Sequence, residues 1–159
     1  MKFSPLRDFV FVGFLSGMAG GCTVNLITLP VYYLGFTRFA LLHWGTAIMM
    51  QETRFDPGAL IIGFLAHAAV STGLGMLVAY LLLRTGKDFY IIKGLVVSLL
   101  FWVSVYGIAS PLLLPPGFPK LDLATAAAEF AGQVAAGVLA AYFIAAFADP
   151  HLRRGDELK

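Results

Sequence analysis

GFLAHAAVSTGLGM, residues 63–76, places a histidine, a serine and a threonine inside a run otherwise apolar enough to cross a bilayer. Their spacing gives the stretch its meaning. Ala59, Gly63, His67, Ser71, Gly75 and Ala79 follow one another at intervals of four, and residues four apart share one face of a helix. Lipid tails are as apolar as leucine, so membrane helices associate through small residues that let backbones approach. The stretch therefore predicts a membrane-spanning helix with a small-residue packing stripe, and His67 and Ser71 lie within that stripe. Polar groups facing hydrocarbon would cost several kcal/mol, roughly, so the pair is expected to point at neighbouring helices.

The rest of the chain agrees. Of 159 residues, 59% are hydrophobic and 13% charged, against about 25% charged in soluble domains. Mean hydropathy is +0.83. About 20 apolar residues cross a bilayer core, and four stretches qualify: about 9–36, 58–83, 89–114 and 123–147. Charges and prolines bound them, as in RFDPG, RTGKD, PPGFPKLD and DPHLRR. The expectation is an all-α integral membrane four-helix bundle forming one domain over residues 1–159. Asp8 heads the first apolar run, Ala19 stands three before Cys22, and the chain stays apolar after Cys22. These features favour a retained helix over a signal peptide or a lipoprotein box. The segment 37–56 is apolar but too short to span. With Trp44 at its centre, it predicts a short helix in the interface or over the bundle mouth, a re-entrant segment being the alternative.

Packing stripes recur. The first span carries Gly13, Gly17, Gly21 and Asn25 at intervals of four, and the fourth carries Ala128, Gly132, Ala136 and Ala140. Gly13, Gly17, Gly21, Gly63, Gly75 and Gly132 are thus the expected sites of close helix approach. The third span is bulkier, with Ser98, Trp102, Tyr106 and Ser110 four apart.

At 1.5 Å rise per residue, Asn25, His67, Tyr106 and Gln133 lie roughly 21–24 Å from the same end of their spans, and Glu129 roughly 27 Å. With Ser71 they form an expected polar layer. Pro30 and Pro111 lie near its level and are expected to be able to break their helices there. Two readings of the layer stand side by side. One is interhelical hydrogen bonding, worth about 0.6–2 kcal/mol per contact. The other is a binding or conduction site, because ionisable groups within spans mark function.

Catalytic signatures are lacking. His43 and His67 come with no c-type haem motif, and no Cys/His cluster fits zinc. Ser71 and Ser104 lack a nucleophile context, and Lys93 is expected to snorkel. No cofactor, no metal, no catalytic residue and no nucleic-acid partner is expected, the net charge being only +2. The lone Cys22 gives no internal disulfide.

Eight of the 11 Lys and Arg residues fall on the side of both termini and three on the other. The positive-inside rule then puts both termini in the cytoplasm of a multi-pass cell-membrane protein. Three functional classes follow. The first is a non-enzymatic structural or accessory subunit packed against itself or a membrane partner. The second is a small oligomeric transporter or channel lined by the polar layer, and the third an enzyme acting on a lipid or quinone.

Finally, VGFLSGMAGG, the outer HWG, KGLVVSLLFWVSVYGIASPLLLP and AGVLAAYFIAAF occur in an order that resembles the YqhR-type small four-span bacterial membrane proteins. The resemblance implies a bacterial cytoplasmic-membrane protein and carries no catalytic residues to transfer.

Overall fold

A computed structural model describes residues 8–148. Among them there are five helices and no strand: α1 (Phe9–Tyr33), α2 (Leu41–Met50), α3 (Pro57–Thr85), α4 (Tyr90–Leu113) and α5 (Leu123–Phe147). All but α2 are long and apolar enough to span a membrane. Large hydrophobic side chains such as Leu26, Leu65, Leu100 and Ile108 are exposed along them, as lipid-facing positions require. This is an all-α, multi-pass membrane bundle.

Aspartates start three of the four spans. Asp8 accepts hydrogen bonds from the Val10 and Phe11 N–H groups, both at 2.9 Å. Asp56 accepts from Gly58 and Ala59, with Pro57 at the first helical position. Asp122 accepts from Thr125 at 2.8 Å. Each satisfies amide groups that lack an intrahelical partner. The ends depart from the expected bounds. The first span stops at Tyr33 rather than residue 36, because Gly35 takes φ 79°. The Phe36 N–H then donates to Val31 and the Gly35 N–H to Tyr32, the paired closure that glycine permits at a helix C-terminus. The second span runs to Thr85 instead of 83, and the third covers 90–113 instead of 89–114.

Lys93 does more than snorkel. Its Nζ donates to the Thr85 and Gly86 carbonyls at the end of α3, while Lys87 Nζ donates to Ala145 and Ala148 at the end of α5. Both cations sit where unpaired carbonyls gather.

In cross-section the spans run α3, α1, α5, α4. α1 packs closely on α3 and α5, and α4 packs on α5, but α3 and α4 touch little. The helix within residues 37–56 packs onto α3 over that loose seam. Thr46 Oγ1 donates to the Leu42 and Ala59 carbonyls, and a Cβ on Gly45 would stand 3.0 Å from the Gly63 carbonyl oxygen.

One element was not foreseen. α4 widens into a π-helical stretch over Ser104–Ala109. Pro111 follows, lacking an N–H and crowding the preceding turn. The wider turn leaves the Val105 carbonyl to Ser110, whose hydroxyl donates to it at 2.9 Å. Pro111 thus coincides with a bulge rather than a break, and Pro30 breaks nothing, since α1 continues through it to Tyr33.

Candidate functional site

The expected polar residues divide into three contacts. In the first, Asn25 Nδ2 of α1 lies 3.1 Å from His67 Nδ1 of α3. With the amide nitrogen facing the ring, Nδ1 accepts and Nε2 carries the ring proton, and Asn25 Oδ1 is left buried without a partner among the described residues. Both residues are buried, as is Ser71. The room for them comes from glycine: a Cβ on Gly21 would stand 2.6 Å from Ser71 Oγ.

The second contact joins α4 to α5. Ser98 Oγ donates to the Gln133 main-chain carbonyl at 2.7 Å and lies 3.1 Å from Gln133 Oε1. Between these two contacts the bundle axis holds a cavity of about 30 Å³, reached by Gly17, Gly75, Ser98 and Gln133. That is room for about one or two waters.

The third contact is the unusual one. Glu129 of α5 has 0% relative exposure. Tyr106 from the π-helical stretch lies beside it, and so does the Leu41 N–H at the start of α2. No oxygen of the Glu129–Tyr106 pair reaches hydrogen-bonding geometry with a described residue. Thr28 Oγ1 and Trp102 Nε1 are likewise buried without partners. Thr28 faces α5 at Gly132, and the Trp102 ring lies 5.9 Å from that of Tyr106. Buried polar groups are normally paired, so this cluster is exceptional.

Glycine positions sort by partner. Gly13 and Gly17 meet Gly75, Ala79 and the Ser71–Thr72 backbone of α3. Gly132 meets Val24 and Thr28 of α1. Gly63 turns instead toward Leu42 and Thr46 of α2, so the α3 stripe serves two neighbours. Gly94 against Gly137 and Ala141 joins α4 to α5, a contact the sequence reading missed in the bulkier span. Thr28 was missed as well, although it lies three residues after Asn25 on the same side of α1.

His43 stands apart from this layer. It is buried in α2, and its Nδ1 accepts from the Ala40 N–H at 3.1 Å. The rings of Tyr32 and Phe55 pack against it, and burial holds its imidazole below the ordinary histidine value. Nearby, Arg38 pairs with Asp122 at 2.8 Å, and the Arg38 N–H donates to Thr125 Oγ1. Hydrogen bonds from Thr125, aided by Arg38, hold the Asp122 carboxyl below the usual aspartate range. These links tie the α1–α2 loop to the start of α5. Among the described residues no group of three His, Cys, Asp or Glu side chains is placed to hold a metal.

No family model, no curated protein and no solved structure matches this chain.

Proposed function

We propose that this is a membrane protein without enzymatic activity, an accessory or structural subunit that packs against itself or a membrane partner. One observation carries the reading: the spans use their polar side chains on one another across helix contacts, Asn25 with His67 and Ser98 with Gln133, around an axis with room for about one or two waters. Native mass spectrometry from nanodiscs tests it. The expected species is a homo-oligomer, or a complex with one membrane protein at fixed stoichiometry. A bare monomer whose reconstituted vesicles pass protons or monovalent cations would overturn it. That outcome would favour the second reading, a small transporter, for which the unpaired oxygens of Glu129 speak.

The resemblance to YqhR-type proteins adds a bacterial cytoplasmic membrane to the proposal, and the basic asymmetry adds cytoplasmic termini. Residue 155 lies outside the described residues, whereas Glu52 is exposed just beyond α2. On a Cys22→Ser background, Glu52→Cys is expected to react with an impermeant thiol reagent in intact cells, and Gly155→Cys only after lysis. The reverse pattern would invert the topology.

A further inference from the structure

Beneath α2, the loose seam between α3 and α4 encloses a cavity of about 290 Å³. This is near the lower end of the range for small-molecule sites, roughly 300–1,000 Å³. Its walls are almost wholly apolar, with Trp44 and Phe101 supplying aromatic surface. Met49, Val70 and Ser104 on its boundary are exposed on the outside of the bundle, so the opening faces lipid.

The polar groups along this wall are already engaged, with one exception. Trp44 Nε1 donates to Ser110 Oγ at 2.7 Å, and Ser104 Oγ donates to the Leu100 carbonyl at 2.8 Å. His67 is 7% exposed and lines the cavity. Asn25 occupies its Nδ1, which leaves the Nε2 proton for a partner.

Depth narrows the choice of that partner. His67 lies roughly 15 Å along α3 from Pro57. At 29 residues, α3 exceeds the hydrocarbon core by roughly 13 Å. Even with that excess shared between its ends, His67 sits below the level of phospholipid ester groups. A phospholipid tail brings no acceptor to this depth and would leave the N–H unpaired in hydrocarbon, which is costly. The fitting occupant has a flat ring to lie against Trp44 and Phe101, a carbonyl to accept from His67, and an apolar tail to leave past Val70.

We propose that this cavity binds the head of an isoprenoid quinone, with His67 Nε2 donating to one ring carbonyl and the tail passing into the bilayer between α3 and α4. The site goes beyond the accessory reading and stands whichever partner the protein has. It is a binding site only, with no redox step assigned to the chain.

Fluorescence provides the test, because quinones quench indole emission. The chain has two tryptophans, so Trp102→Phe leaves Trp44 as the reporter on the cavity wall. The full chain, in nanodiscs of phosphatidylethanolamine and phosphatidylglycerol, is titrated with decyl-ubiquinone, and decanol serves as the tail without the ring. Saturable quenching is expected, with half-saturation shifted about tenfold or more to higher concentration by His67→Leu. Ser104→Phe, which fills the cavity from α4 without touching the Asn25–His67 pair, is expected to remove the saturable phase. Non-saturable quenching overturns the proposal. So does equal competition by decanol, which would mean hydrocarbon occupancy alone, and so does unchanged binding in folded His67→Leu. If His67→Leu does not fold, unchanged quenching in Ser104→Phe overturns it.

Discussion

Gly17→Leu is expected to prevent formation of the native bundle, while Gly73→Leu, in the helix opposite, leaves thermal stability nearly unchanged. A Cβ on Gly17 would overlap the Ser71 carbonyl oxygen and stand 2.8 Å from Thr72 Cα. Those atoms are backbone and cannot rotate aside. Overpacking a core that can adjust costs about 1–3 kcal/mol; a leucine between two helix backbones leaves no such adjustment and must separate α1 from α3. The damage spreads, because Gly13 and Gly75 share the contact and the Asn25–His67 bond bridges the same pair of helices. Gly73 has nothing within 4 Å of an added Cβ, so its leucine enters lipid. Melting curves of both variants in one detergent decide the matter. Equal stability of Gly17→Leu and wild type would mean that α1 and α3 do not meet along this face.

Glu129→Lys is expected to abolish accumulation of folded protein, whereas Glu129→Gln retains a melting temperature close to that of the wild type. The side chain is completely enclosed, and neither carboxyl oxygen has a hydrogen-bonding partner among the described residues. A lysine there carries its charge into a fully enclosed site, and an unpaired buried charge costs about 3–5 kcal/mol. Its longer side chain would also displace the Leu41 end of α2 and the Tyr106 ring. Glutamine preserves shape and volume and brings no charge, so the packing of Tyr106 and the Leu41 end of α2 beside it survives. Size-exclusion profiles and melting curves of the two variants provide the measurement. If Gln is as damaging as Lys, the carboxyl itself makes an essential contact. Glu129→Gln also separates the two functional readings: it leaves an accessory subunit's assembly intact but silences a transporter that depends on the acid.

Some of this was legible along the chain. The apolar runs marked all four spans, and the aspartates at 8, 56 and 122 stand directly before their first helical residues. The interval-of-four pattern marked Gly13, Gly17 and Gly75 as contact positions, where glycine places backbone against backbone. The polar layer was legible only as a depth. Asn25, His67, Tyr106, Glu129 and Gln133 lie at similar heights, yet they form separate contacts on different sides of the bundle, one through α1 and α3 and the others through α4 and α5. Ser98, which completes the contact with Gln133, carries no signal beyond sharing a face with Trp102 and Tyr106.

The sequence by itself determined the number of spans, their polarity pattern and a narrow face on the first, second and fourth, because length, hydropathy and periodicity are properties of one helix about its own axis. Only the tertiary structure decided which narrow face meets which. Small-residue stripes are chemically alike, so nothing in Gly63 announces that it receives α2 while Gly75, three turns on, receives α1. The same holds for the cavity beside His67. It exists because α3 and α4 stand apart while α2 closes over them and the π-helical stretch widens α4. Such a space belongs to the arrangement of three helices and has no counterpart in the pattern of any one.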